Sequence, residues 1–268
     1  SINWRVVATS VCGTSHQQRS QPCQDAYCWY SPAAGVLVAA VADGAGSAVF
    51  GEVGAQIAVK TAVETLSDRI EAVNLEDWLA ATATLSPTDV PPVLTDLKVA
   101  LETARDAVTA EAEMRQTSLR EFASTLILVV AAPQWVAAAQ IGDGAAIAGN
   151  RDEEGDRIGA LTSPSCGEYI NETTFLVSPQ ALETAQLNLW HESIEYLALF
   201  TDGLQLLALD MSDATPHPPF FSPLFRFISQ DELDATEAQI QLESFLNSDR
   251  VTQRTDDDLT LLLAAKIT

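Results

Sequence analysis

The sequence predicts an α+β fold, with strands gathered into two sheets or one large one and helices on the outside. Three observations carry this expectation. Valine- and leucine-rich runs of strand length cluster near the start, the middle and the end of the 268-residue chain. Between the first two clusters, apolar residues step at three and four residues, the spacing of an amphipathic helix. The order strands, helices, strands, loop, strand, helix, strand lacks the βαβα alternation of a doubly wound parallel sheet.

The elements follow in turn. WRVVATSV from Trp4 to Val11 reads as a strand, then a polar loop runs through Gln17 to Gln24. DAYCWY from Asp25 and GVLVAAVA ending at Asp43 read as two more strands. From Gly51, the residues Val53, Ile57, Val59, Ala62, Val63, Leu66 and Ile70 mark one face of a helix, and a shorter helix is expected from Leu75 to Ala83. SPTDVPP breaks the pattern; with Pro92 in its first turn, a long helix then carries Leu97, Leu101, Ala104, Val108, Ala112, Arg115 and Leu119 on its periodic face. STLILVVA and WVAAAQIG flank Ala132-Pro133-Gln134 as a hairpin that runs into Gly142-Asp143-Gly144. NRDEEGDR reads as an acidic turn, and residues 163 to 193 as loops or a flap with a strand near TFLVS. EYLALFT leads into Asp202-Gly203, PHPPFFSP reads as irregular, a helix is expected from about Asp231 to Asn247, and LTLLLAAKI closes the chain as a strand. No repeat or linker interrupts this series, so residues 1–268 are expected to form a single domain.

Composition narrows the partners. A hydrophobic share of 47% can bury a full core, which excludes a disordered tail or a coiled coil. With 14 Lys plus Arg against 37 Asp plus Glu, the formal charge is −23, and such a surface repels phosphodiester backbones and anionic headgroups. Neither nucleic acid nor membrane is therefore an expected partner, and oligomeric state has no signature in the sequence. The apolar stretch from Phe122 to Ala139 is broken by Pro133 and Gln134 and suits buried strands better than a membrane span. Cys12, Cys23, Cys28 and Cys166 form no CxxC pair, and His16, His191 and His217 are scattered, so a zinc site is not expected. The opening residues have no basic segment leading into an apolar core, and free thiols suit a reducing compartment, so the cytoplasm is the expected location. In that location the sequon Asn171-Glu172-Thr173 carries no meaning.

Five acids recur in one context, at the end of an apolar strand or in a tight turn beside one: Asp25, Asp43, Asp143, Asp202 and Asp257. A single Asp-Gly at such a place is ordinarily a turn signal. Five carboxylates brought together at strand ends need protons or cations to neutralise them. Hard oxygen ligands without histidine or cysteine suit Mg²⁺ or Mn²⁺, and Gly44 after Asp43 lets backbone approach an ion. Two such ions can acidify a water for attack on phosphorus with no nucleophilic side chain.

The ordered series QPCQDA, VADGAGSAVFGEVGA, FASTLILVV, QIGDGAAIAG, LFTDGL and TDDDLTLLL, spread over nearly the whole chain, resembles the metal-dependent protein serine/threonine phosphatases of type 2C. The resemblance implies an αββα sandwich of two antiparallel sheets, two Mg²⁺ or Mn²⁺ ions, and a phosphorylated protein as substrate. It implies that Asp43 bridges the ions, that Gly44 offers its carbonyl to one and that Asp202 and Asp257 hold the other. Asp25 then orients water at the ions, and Asp143 helps hold a third metal. Arg19 is the nearest counterpart of the family's phosphate-binding arginine.

Departures accompany the resemblance. Ala45 stands where many members have the histidine of DGHG, Gln24 replaces a glutamate, and GDSR is here Gly142-Asp143-Gly144-Ala145. They leave open a noncatalytic phosphatase-like binding module. A nucleotide-binding enzyme using the Gly44–Gly46 turn is the other alternative, but Val49 occupies the third glycine position of GxGxxG. His16 could reach a phosphate, although a loop histidine is more often a hydrogen-bonded surface group. Asp256 or Asp258 could stand in for Asp257.

Overall fold

The computed structural model describes residues 3–84, 87–164 and 173–267. Cys166, most of the sequon and part of the 163–193 segment lie outside the described residues. In chain order the strands are β1 (Asn3–Val11), β2 (Asp25–Ala33), β3 (Val36–Asp43), β4 (Leu126–Ala131), β5 (Val136–Ile141), β6 (Ala145–Asp152), β7 (Gly155–Ala160), β8 (Gln186–Trp190), β9 (Tyr196–Phe200), β10 (Leu209–Asp210), β11 (Thr215–Pro216) and β12 (Leu259–Ile267). The helices are α1 (Thr14–Gln18), α2 (Gly51–Glu71), α3 (Leu75–Ala83), α4 (Pro92–Met114), α5 (Ala181–Thr184), α6 (Gln205–Ala208), α7 (Pro218–Ile228), α8 (Ala235–Leu246) and α9 (Asp249–Thr252).

Two five-stranded sheets form, in the orders β1-β12-β9-β6-β7 and β2-β3-β4-β5-β8, and their neighbouring strands are all antiparallel. The layering follows from the two-residue period of strand side chains. On β3, Leu37, Ala39 and Val41 meet Ala146, Leu199 and Leu262 of the other sheet, while Val36, Val38, Ala40 and Ala42 face α2 and α4. Both faces are dry, which is why β3 reads as an unbroken apolar run. Across the other sheet, Leu261, Leu263 and Phe200 face outward and pack on Phe221 and Phe225 of α7 and on Leu242 of α8. The result is the expected αββα sandwich. Far from the loop after Asp43, the layers are tied by the Trp4 indole of β1, which donates to the carbonyl of Gly35 between β2 and β3 at 3.1 Å. No helix among the described residues is long and apolar enough to cross a membrane.

Several local expectations are corrected. The long helix stops at Met114 rather than continuing to Leu119, because Gln116 takes a left-handed φ of 55°; Leu119 instead begins a 3₁₀ turn to Phe122. TFLVS is not a strand; the edge strand of that segment is QLNLW, whose pairing with β5 comes from tertiary context. PHPPFFSP is not irregular but opens α7, with prolines in its first turn, where their missing N–H groups are not needed. Its Phe221, Leu224, Phe225 and Ile228 are buried at helical spacing, and this burial holds the helix despite Pro223. The acidic NRDEEGDR stretch is the tip of the β6–β7 hairpin, and the polar loop before β2 contains the short α1.

Candidate active site

At one end of the sandwich the inner apolar rows give way to polar residues. On β3 the row Leu37, Ala39, Val41 ends in Asp43, and in antiparallel register Asp25 of β2 stands opposite it. The same two-residue period carries Leu262 of β12 to Thr260, Leu199 of β9 to Thr201 and Ile127 of β4 to Thr125. Asp202 begins the turn after β9, Asp257 precedes β12, and Asp143 lies between β5 and β6. Apart from Asp25, which is buried beneath, these acids line one cavity of about 230 Å³ together with His16, Gly44 and Thr173.

Each acid is placed by its surroundings. Asp25 Oδ2 accepts from the hydroxyls of Thr201 and Thr260, both at 2.7 Å, while its Oδ1 has no partner among the described residues. Burial dominates its environment and pushes its carboxyl up to about 7, against the opposing pull of the Thr260 hydroxyl. The backbone N–H of Asp43 donates to Thr125 Oγ1 at 3.0 Å; its carboxyl is raised well above the usual range by burial and then by the charges of Asp25 and Asp202. Asp257 sits at the mouth, and desolvation of its cavity side, followed by the charge of Asp202, lifts it to about 6. Asp143 is raised by burial, although the Thr173 hydroxyl donates to its Oδ2 at 2.7 Å and favours the ionised form. Asp202 Oδ1 is buried without a hydrogen-bond partner among the described residues.

Glycines permit this convergence. A Cβ on Gly44 would lie 2.5 Å from the carbonyl carbon of Gly51, so only glycine lets the Asp43 turn pack against the start of α2. Gly142 and Gly144, at φ of +92° and +91°, frame Asp143, and the Gln140 amide donates to both their carbonyls at 3.0 and 2.9 Å.

The described lining residues include no lysine or arginine. Unpartnered oxygens on Asp25 and Asp202, with raised carboxyls at Asp43 and Asp257, make a site short of positive charge. Carboxylates with an approachable backbone carbonyl fit Mg²⁺ or Mn²⁺. The family model for protein phosphatase 2C matches residues 12–247, a span that takes in four of the five acids. The chain belongs to the protein phosphatase 2C family.

The phosphatase is 35% identical to serine/threonine-protein phosphatase 3 of Escherichia coli over 272 residues, covering 98% of each chain. Its fold is that of the Staphylococcus aureus serine/threonine phosphatase Stp1, at a TM-score of 0.61 and 17% identity over 98% of this chain and 95% of that one. It also matches the catalytic domain of the serine threonine protein phosphatase PstP, solved in complex with two manganese ions, at a TM-score of 0.60 and 18% identity over 100% of each chain.

Of the residues singled out in the phosphatase sequence, Asp43, Gly44, Asp143, Asp202 and Asp257 line the cavity. Arg19 caps the C-terminus of α1, is exposed, and is not among the lining residues. The run Asp256-Asp257-Asp258 sorts itself by contact. Asp258 turns inward and accepts from the backbone N–H groups of Gly13 at 2.7 Å and Gln24 at 2.8 Å and from His16, so Asp257 alone of the three faces the cavity. His16 is no surface group: its side chain is 14% exposed. A histidine three residues after a glycine gives no such signal by itself; the pairing with an acid 242 residues away decides it.

Proposed function

We propose that this phosphatase hydrolyses phosphoserine and phosphothreonine on proteins, with two Mg²⁺ or Mn²⁺ ions held by Asp43, Gly44, Asp202 and Asp257 and a third reached by Asp143. The observation that carries this reading is the meeting of acids from both sheets, with unpartnered oxygens, around one cavity that has no lysine or arginine among its described lining residues. Bound there, the cations supply the charge that offsets the carboxylates, draws in a phosphate and acidifies water for in-line attack on phosphorus.

The chain's own residues supply the frame. Thr201 and Thr260 fix Asp25 beneath Asp43, leaving Asp25 Oδ1 to orient water. Among the described residues no lining side chain is placed as a nucleophile: Thr125 Oγ1 accepts from the Asp43 N–H, the Thr173 hydroxyl is given to Asp143, and no cysteine lines the cavity. Water is therefore the attacking group, and no phosphoenzyme forms. The excess of acidic residues makes a phosphorylated protein a better substrate than a polyanion. Cys12, Cys23 and Cys28 are free, which suits a reducing cytoplasm. We read the whole chain as one catalytic domain.

The test is phosphate release from a phosphothreonine peptide and p-nitrophenol release from its phosphate ester, with Mn²⁺, with Mg²⁺ and with chelator. Turnover is expected with the metals and none with chelator. Binding of the phosphopeptide by metal-free protein, with no release under any condition, would instead establish a binding module.

A further inference from the structure

An alkyl oxygen leaves phosphorus reluctantly as an alkoxide, so phosphoserine and phosphothreonine hydrolysis calls for a proton donor. The carboxylates of the cavity are needed as anions to hold cations, and the amide of Gln24 donates to the Ala48 carbonyl at 3.3 Å. One lining side chain is left that can both give a proton and regain it, His16.

Its placement is specific. Nδ1 of His16 lies 2.9 and 2.8 Å from the two carboxylate oxygens of Asp258. Those oxygens also accept from the Gly13 and Gln24 backbone, so Asp258 is buried, hydrogen-bonded on both sides and not free to turn away. A carboxylate accepts only, so Nδ1 donates, and Nε2 is the one ring nitrogen without a partner among the described residues. The short helix carrying His16 is tied to the segment of Asp257: the Ser15 N–H donates to the Asp256 carbonyl at 3.1 Å, and a Cβ on Gly13 would lie 2.3 Å from the Asp257 carbonyl carbon. The ring is thus fixed relative to an acid of the centre itself.

We propose that His16 is the general acid for the leaving seryl or threonyl oxygen, and that Asp258 is the positioning residue that holds its ring. The proposal rests on the phosphatase reading above. In the step, a water oxygen forms a bond to phosphorus as the bond from phosphorus to the ester oxygen breaks. The electron pair of the broken bond stays on the ester oxygen, which takes the proton from Nε2. The proton of the attacking water passes to solvent, and solvent reprotonates Nε2, so the ring returns unchanged after each turnover. Position 45, where many family members carry histidine, is alanine here, and the imidazole reaches the same cavity from α1.

His16→Gln tests this, because the glutamine amide can still donate to Asp258 but has no proton to transfer. With Mn²⁺, kcat on a phosphothreonine peptide is expected to fall by about 10²-fold or more, while p-nitrophenyl phosphate, whose product anion departs without a proton, changes by less than about threefold. Across a series of aryl phosphates, the dependence of kcat on leaving-group pKa should steepen in the variant. Asp258→Asn, which keeps one acceptor oxygen, should show the same selectivity in milder form. Equal losses on both substrates, or an unchanged rate on the peptide, would overturn the proposal. If the wild-type protein with Mn²⁺ releases product from neither substrate, the phosphatase reading fails first and takes the proposal with it.

Discussion

Asp25 and Asp43 stand directly opposite each other across the antiparallel β2–β3 ladder, both on the inner face of the sandwich. Opposed like charges weaken a strand pair, and here both carboxyls are raised, mainly by burial. The sign of the consequence follows from linkage. An acid whose folded pKa lies above its unfolded value holds its proton longer in the folded state, so its stabilising contribution is complete below the unfolded value and is lost as pH rises through the folded one. With Asp257 at about 6 and Asp25 at about 7, the metal-free protein should lose stability between pH 4 and about 7. Thermal melts in chelator should show Tm falling over that window, and saturating Mn²⁺ should flatten the fall.

Asp43 is the acid flanked by both Asp25 and Asp202. Asp43→Ala is expected to abolish Mn²⁺-dependent phosphate release while raising the metal-free Tm at pH 8, where repulsion is greatest. Calorimetric titration with Mn²⁺ should show the corresponding loss of affinity. Full activity in this variant would rule out the bridging role.

The Gln140 amide holds the Asp143 turn by donating to Gly142, to Gly144 and to Ser163 at 3.1 Å. Gln140→Leu removes all three bonds from a buried position, which should cost about 2 kcal/mol and leave Asp143 poorly fixed. The Mn²⁺ concentration for half-maximal activity should rise, with a smaller change in rate at saturating metal. A urea titration gives the stability loss independently.

Away from the site, Asp96 of α4 accepts from the Trp78 indole at 2.8 Å and from Arg69 at 2.7 Å, joining three helices. Asp96→Ala leaves the indole N–H unpaired in a buried position; Arg69 is 42% exposed and is compensated by water. A loss of about 2 kcal/mol in urea unfolding is expected, with activity per folded molecule unchanged.

The strand rows were legible because both faces of β3 and β4 are dry, so they stand out as apolar runs ending in Asp43 and preceded by Thr125. α2 was legible from its periodicity, and α3 was expected after it over the residues it occupies. α7 was not, because three prolines mask a helix that is held by burial of Phe221 and Phe225 rather than by propensity. β8 was not, because a half-buried edge strand carries little pattern of its own. At the site, the acids announced themselves through their recurring strand-end context. The threonines that fix Asp25 and the bond from His16 to Asp258 depend on partners 176 to 242 residues apart, and no local pattern encodes them.

The two layers are fastened differently at their two ends. Trp4 and Gly35 close the far end with a neutral bond between two groups that do not titrate. At the near end, Asp25 and Asp43 belong to one layer and Asp202 and Asp257 flank strands of the other, so a proton, or on the proposed reading a divalent ion, shared among them would act as the latch. On that reading acid and metal would be interchangeable keys to the same closure, and only the second would leave the latch able to work on a substrate.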